Sequence, residues 1–383
     1  MEAQAILEHE WPFLLSYLPS GLDLDASAFA SGALRRKREV DSASSLLRLV
    51  LAYGLCDLSL RQTAAWAQAA QLAELSDVAL LKRFKHAASW LGEILGAKLA
   101  ERAAPTQALP RRFHLRVVDA TSISRPGSAG TDWRVHLGYD LDTLTIDSVE
   151  LTDAHGGESL LRFAAQPNEI IIGDRTYATR RGLCSIRQSQ AHFIVRLGWR
   201  SIPLCASDGG SFALLSFLRG LPDGVAQTCD LYTAPDPPRQ IPSISCRLVA
   251  VRKTEAAAEA SRKDVLRDCS RKGRSVDPHT LEAAGYSVLL TSLDGGVASA
   301  EELLELYRFR WQIEIVFKRL KGLLALSKLP AKQPELARTF ILAKLLAALL
   351  LDDFTERFLA FSPWGFRISQ APAVSMAHPK SSA

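Results

Sequence analysis

Cysteine is sparse and scattered in this 383-residue chain. The six, Cys56, Cys184, Cys205, Cys229, Cys246 and Cys269, stand far apart, with no Cys-x-x-Cys and no Cys/His pair at zinc spacing. That argues against a zinc site and makes reduced thiols in a cytosol the expectation. Long hydrophobic runs are missing as well. The most apolar stretch, Thr339 to Leu351, is about a dozen residues long, falls short of the roughly 20 that a membrane span requires, and carries Lys344. It reads as a buried helix. The start, Met1-Glu2-Ala3-Gln4, is not basic and no signal-type apolar core follows it, so a cytoplasmic setting with no membrane partner is the expectation. Nor does one sign of charge dominate: 46 Lys and Arg face 41 Asp and Glu, a net charge of +5 with a pI near 8.9. This is compatible with nucleic acid, but only local clustering makes an electrostatic footprint.

Proline is absent between Pro19 and Pro105, where Ala, Leu, Arg, Gln and Glu dominate, so residues 1–104 read as an all-helical N-terminal domain. Within it, Ser59 and Ser76 are good N-caps for two successive helices. The second carries Lys82, Arg83 and Lys85. Two helices joined in this way suit a helix-turn-helix that meets DNA with the second, and equally an ordinary helical hairpin with a solvated basic face.

From Phe113 the pattern alternates. Phe113–Asp119, Trp133–Tyr139 and Thr143–Leu151 read as strands, 157–165 as a short helix, Glu169–Asp174 as a strand, 178–190 as a helix and His192–Leu197 as a strand. Three antiparallel-type strands followed by helix, strand, helix and strand match an RNase H-like α/β core. Its first part is assigned to residues 105–197. Residues 198–296, broken by Pro203, Gly209-Gly210, Pro222, Gly224 and Pro235-Asp236-Pro237-Pro238, read as a mainly β insertion with a charged helical piece at 255–272. The core resumes with a helix in 297–330, and 331–383 supplies a C-terminal helix and a Pro/Ser/Ala-rich tail expected to be poorly ordered. No internal repeat is evident.

The most telling stretch is Tyr307 to Lys321. Arg308, Arg310, Lys318, Arg319 and Lys321 surround one acid, Glu314, among large apolar residues. Residues 299–323 contain no Pro and no Gly before Gly322, so one helix is expected, with Tyr307, Arg310, Glu314 and Lys321 on a single face. A carboxylate framed by cations suits a metal ion and a phosphate chain held together. Two apolar strands end on acids, Asp119 and Asp174, which a fold can bring to Glu314. Such a trio suits Mg²⁺, which takes one or two carboxylates and fills its octahedron with water and phosphate oxygens. Taken singly, each has a plainer reading: a strand-end Asp is usually a turn former, and Glu314 an i,i+4 partner of Arg310 or Lys318. Asp147, Asp153 and Glu158 lie in the same region and read as structural, or at best as supports behind the site.

These residues resemble the insertion-sequence-four family of DDE transposases. The matching motifs are Asp119-Ala120-Thr121-Ser122, then Gly173-Asp174-Arg175-Thr176-Tyr177, and above all Tyr307, Arg310, Glu314 and Lys321 at the family's Tyr-x2-Arg-x3-Glu-x6-Lys spacing. The resemblance covers roughly residues 45 to 325. Thr176 stands where many relatives have Gly, and Trp199 is the one Trp of the insertion, not matched to the base-extruding Trp of some relatives. The resemblance implies that Asp119, Asp174 and Glu314 are catalytic and bind two Mg²⁺ (or Mn²⁺) ions. It implies cleavage of transposon ends to a 3′-OH, which attacks the opposite strand or target DNA. Tyr307, Arg310, Lys318, Lys321, Arg175 and Tyr177 would contact DNA. End recognition would fall to Lys82, Arg83 and Lys85, with help from Arg262, Lys263, Arg271, Lys272 and Arg274. The implied partners are double-stranded DNA (terminal inverted repeats and target) and a second copy of the chain on paired ends. The alternatives left open are a metal-dependent nuclease on the same fold without strand transfer, and a transposase-derived DNA-binding regulator.

Overall fold

The computed structural model describes residues 10–360 except 57, 103–112, 129, 328 and 331–332, with side chains to residue 355. The N-terminal residues and the tail discussed above lie outside this set. After a helical turn over residues 10–15 come helices α1 (Leu24–Ala30), α2 (Ala43–Leu55), α3 (Leu60–Ala69) and α4 (Asp77–Arg102). The caps are those the sequence suggests. Ser59 and Gln62 close a capping box on α3, and the Ser76 hydroxyl accepts from the Ala79 N–H at the start of α4.

Among the described residues, nine strands form one sheet in the order β3-β2-β1-β4-β5-β9-β8-β7-β6. They are β1 (His114–Ile123), β2 (Trp133–Asp140), β3 (Thr145–Asp153), β4 (Glu169–Gly173), β5 (His192–Arg196), β6 (Leu204–Cys205), β7 (Gln227–Thr233), β8 (Ser245–Arg252) and β9 (Tyr286–Thr291). Strands β1, β4 and β5 run parallel, and β2 and β3 are antiparallel beside them. The strands of the 198–296 region do not form a separate sheet. They continue the first one through β9, which pairs with both β5 and β8.

Each face of the sheet has its own core. Val117, Ile172 and Ile194 point to one side, where they join α2, α4 and the late helices α9 (Ala300–Arg308), α10 (Trp311–Gly322) and α11 (Pro334–Ala360). Val118, Ile171 and Val195 point to the other, against α5 (Arg180–Gln188) and α6 (Leu214–Arg219). This is the alternation expected of strands covered on both faces. Two further helices, α7 (Glu255–Arg271) and α8 (Pro278–Ala283), contribute no buried residue to these two cores, although Ala258 of α7 is itself buried. The apolar run at Thr339–Leu351 packs α11 on α2 and α4. The Thr339 hydroxyl donates to the Phe84 carbonyl at 2.6 Å, and Lys344 is enclosed with its ammonium donating to the carbonyl of Leu324. A paired ammonium explains how a charge is tolerated inside that helix. No helix among the described residues is long and apolar enough to cross a membrane.

Three elements depart from the sequence reading. The helix expected at 157–165 is only a 3₁₀ turn, Leu160–Arg162. Asp119 does not end its strand, because Thr121 and Ile123 continue β1 against Val135 and Trp133 of β2. The single helix expected over 299–323 is two. Phe309, Arg310 and Gln312 each donate to the carbonyl three residues back, so a tight turn separates α9 from α10. Tyr307 therefore belongs to one helix and Glu314 to the next.

Candidate active site

The parallel ladder of β1 and β4 ends at the pair Val117 and Ile172. Two residues further along each chain stand Asp119 and Asp174, so the register itself sets the two carboxylates side by side. Asp119 shares the face of Val117, the side on which α10 packs. Asp174 caps the 3₁₀ turn Arg175–Tyr177, its Oδ1 accepting from the Thr176 N–H at 2.7 Å. Gly173 is needed just before it: a Cβ there would come within 3.1 Å of the Tyr177 Cβ.

Arg310 connects this pair to the third acid. Its Nη2 donates to Glu314 Oε1 at 2.5 Å, its Nη1 lies 3.8 Å from Asp119 Oδ2, and it acts electrostatically on Tyr307. Asp119, Tyr307, Arg310 and Glu314 are thus gathered around one guanidinium, with Asp174 close enough to act electrostatically on both Asp119 and Tyr307. Burial, together with the like charges of Asp174 and Glu158, pushes the Asp119 carboxyl up to about 6, against the Ala120 N–H and Arg310, which pull it down. Burial likewise pushes the Tyr307 phenol up to about 12.

The remaining candidates separate by exposure. Arg175, Lys318 and Lys321 are exposed, and Glu314 itself is 47% exposed. Tyr177 is not available to DNA. It is wholly enclosed in the second core, because the 3₁₀ turn folds the ring back over Gly173 and against Phe163. Lys82 is exposed, whereas Arg83 and Lys85 are half-buried, and burial lowers the Arg83 guanidinium while Glu39 opposes that shift. Leu80, Phe84, Ala87, Trp90, Leu91 and Ile94 of α4 are core residues, which makes this helix a scaffold with one basic outer edge. Trp199 is held by packing: its Nε1 donates to Thr280 Oγ1 at 3.0 Å, with His279 and Arg200 against its ring.

Two residues at the site were not among the candidates. Arg196 ends β5, is exposed, and acts electrostatically on Tyr307. A charged residue closing an apolar strand was the same signal that exposed Asp174. Glu158 was set aside with Asp147 and Asp153. Asp147 pairs with Arg116 and Asp153 closes a turn, but the Glu158 carboxyl is raised by burial and by the charge of Asp174.

The donor set fits a hard divalent cation. Asp119 and Asp174 offer oxygens in register, one cation serves several acids, and the buried Tyr177 hydroxyl, within the field of Asp119, Glu158 and Asp174, has no hydrogen-bond partner among the described residues. A tighter trio of ligand-type side chains, His114, Asp140 and Asp142, lies at the other end of β1. There His114 Nε2 is hydrogen-bonded to Asp140 Oδ2 at 2.9 Å and Nδ1 lies 3.6 Å from Glu169 Oε1, and the two acids push the imidazole up to about 10. His114 on β1 and Asp140 on β2 form an ion pair that pins the two strands together.

Comparison with known proteins places the chain in a family. The transposase DDE domain family matches residues 112–350. The putative transposase InsL of insertion sequence element IS186A from Escherichia coli K12 is 44% identical over 355 residues, covering 92% of this chain and 96% of that protein. The transposase of insertion sequence element IS421 from Escherichia coli is likewise 44% identical, over 356 residues, with the same coverage. Among solved structures, the piggyBac transposase synaptic complex with hairpin DNA superposes with a TM-score of 0.51 at 7% identity, over 94% of this chain and 77% of that one. That likeness is one of fold.

Proposed function

Because this chain belongs to the DDE transposase family, we propose that it cuts the ends of an insertion sequence and joins them to target DNA. The catalytic core is RNase H-like, built on β1 to β5 with α9 and α10, and preceded by a helical N-terminal domain. One observation carries the assignment of the site. Arg310 holds Glu314 and Asp119 around a single guanidinium, and Asp174 stands in register beside Asp119. Held by Asp119, Asp174 and Glu314, two Mg²⁺ or Mn²⁺ ions would supply Lewis acidity at the scissile phosphate.

The chain's own side chains do the rest. Asp119, raised and only 18% exposed, is a carboxylate whose charge calls for a cation. Arg310 neutralises it in the free protein and offers its planar fork to a DNA phosphate. Tyr307 lies within electrostatic reach of Arg310, whose positive charge it helps to offset. Arg175, Arg196, Lys318 and Lys321 are exposed cations that track the backbone of a duplex, and Lys82, Arg83 and Lys85 add a second, weaker strip. The partners are the terminal inverted repeats, target DNA and a second copy of the chain on the paired ends.

The test is a duplex carrying the inverted repeat that flanks the gene, incubated with protein and Mg²⁺. The expected result is cutting at the repeat and joining of precut ends to a plasmid, both lost with Asp174→Asn. Cutting without joining would mark a nuclease on the same fold. Binding without either reaction would mark a regulator.

A further inference from the structure

The run Arg35-Arg36-Lys37-Arg38 lies in the loop that joins α1 to α2, and the fold fixes its path at both ends. Gly32 turns the chain out of α1 in the left-handed region, at φ +75°, and the Leu34 N–H then donates back to the Ala28 carbonyl at 3.0 Å. Leu34 and Val40 are both fully buried, so the residues between them form a short loop anchored on each side. In its middle Lys37 Nζ donates to Asp25 Oδ2 at 2.8 Å, and Asp25 Oδ1 accepts from the Ala43 N–H at 2.7 Å. One carboxylate therefore ties the loop to the first residue of α2.

Arg35, Arg36, Lys37 and Arg38 are all exposed. Lys37 is spent on Asp25, whereas Arg35, Arg36 and Arg38 make no ion pair among the described residues. The acids that follow do not cancel them: Asp41 accepts from the Ser45 hydroxyl at 2.9 Å, and Glu39 is a single charge beside three. Elsewhere in the N-terminal domain, the exposed cations with described side chains are Arg61 and Lys82. A flexible run of like charges relieves its repulsion by spreading into solvent. This run is held together by its anchors, which leaves a fixed concentration of positive charge for a polyanion to offset. Arginine suits phosphate in particular, because each guanidinium presents a planar fork of donors.

We propose that the Arg35–Arg38 loop is a phosphate-binding site for duplex DNA outside the catalytic centre. Arg35, Arg36 and Arg38 hold backbone phosphates, while Lys37 and Asp25 keep the loop in shape. The site adds affinity without sequence preference of its own, and it contributes more than the basic edge of α4. This rests on the reading of the chain as a protein that acts on duplex DNA.

The experiment is filter binding of the full-length protein in EDTA across a salt series, which reads how many phosphates are engaged. The probes are the inverted-repeat duplex and a scrambled duplex of equal length, with thermal midpoints to report folding. If the parent binds neither duplex, the DNA reading fails and this one with it. With the parent binding, Arg35→Ala, Arg36→Ala and Arg38→Ala combined should flatten the slope of log affinity against log salt by about 2 to 3 on both duplexes, at about 0.9 per phosphate contact. The same three positions changed to Lys keep their charge and should keep the slope. Lys82→Ala, Arg83→Ala and Lys85→Ala combined should flatten it by about 1, since only Lys82 is exposed. An unchanged slope in the alanine loop variant would overturn the proposal while leaving DNA binding standing. So would a lysine variant as flat as the alanine one, because charge would not be the cause. A larger flattening from the α4 variant than from the loop would likewise overturn it, by moving the contact to α4.

Discussion

Helices α7 and α10 carry similar numbers of positive side chains and use them in opposite ways. On α7, Arg262 pairs with Glu255, Lys263 with Glu259, Arg267 with Asp264, and Arg271 and Lys272 with Asp268. Acids three, four or seven residues away consume each cation, and the helix presents a nearly neutral, solvated face. On α10, Glu314 is the only acid, and it is held by Arg310 from the preceding turn, leaving Lys318, Arg319 and Lys321 exposed. A count of Lys and Arg does not distinguish the two; the spacing of the acids does. The expected role of Arg262, Lys263, Arg271 and Lys272 in end recognition therefore loses its electrostatic basis.

The largest effect that would sharpen this contrast is at the lone acid. Glu314→Gln keeps shape and removes charge, so cutting of an end duplex should fall by at least about 10²-fold, the scale seen when one charge-stabilising group is removed. Asp268→Asn on α7, by contrast, should leave cutting unchanged. Normal cutting by Glu314→Gln would break the distinction. The next effect is on stability. The Asp119 carboxyl is raised to about 6 from an ordinary value near 4. A raised carboxyl means the folded state holds its proton longer. Its contribution to stability is present below the unfolded value, about pH 4, and is lost as pH rises through about 6. Asp119→Asn should thus be more stable than the parent at pH 7 in EDTA by on the order of 2 kcal/mol, and the gap should close by about pH 4. Denaturant titrations at the two pH values measure it. Asp268 is shifted the other way, lowered by Lys272 and Arg271, but solvent screens a pair on an exposed helix.

Residues that act through local spacing were the ones legible in sequence. Ser59 with Gln62, and Ser299 with Glu302, announce helix starts because both partners lie within one turn. The apolar strands ending at Asp174 and Arg196 show by composition alone. What could not be seen depended on distant partners. Asp119 sits inside its strand because β2 continues past β4, and that difference in ladder length is a tertiary fact. Glu158 looks like any loop acid, since the charge of Asp174 acts on it only once β4 has folded back beside β1. The break between α9 and α10 has no Gly or Pro to signal it; Phe309, Arg310 and Trp311 are all acceptable helix residues. The joining of the 198–296 strands to the main sheet depends on Tyr286–Thr291 accepting β8 along one edge and β5 along the other.

A smaller effect concerns Arg310, which touches both acids. Arg310→Lys keeps the charge but loses the planar fork, so it cannot reach Glu314, Asp119 and a phosphate together. End cutting should drop by about 10-fold to 10²-fold, the cost of a misplacement on the ångström scale. A variant with parental rates would show that Arg310 acts as simple positive charge, no different in kind from the cations of α7.

The smallest effects compare the two helices directly. Lys318→Ala with Lys321→Ala removes two exposed cations beside the site. Each lysine that meets a phosphate contributes about 0.9 to the slope of log affinity against log salt, so the double variant should flatten that slope by about 2. Replacing Arg262, Lys263, Arg271 and Lys272 by Ala removes twice as much positive charge from α7, yet it also frees Glu255, Glu259 and Asp268 from their partners. If α7 only solvates itself, the salt slope should stay at its parental value and affinity should drop only slightly, through the unpaired acids. A slope flattened by as much as the α10 double variant shows would place DNA on α7 and dissolve the distinction between the two helices. Filter binding across a salt series decides between them without any need for catalysis.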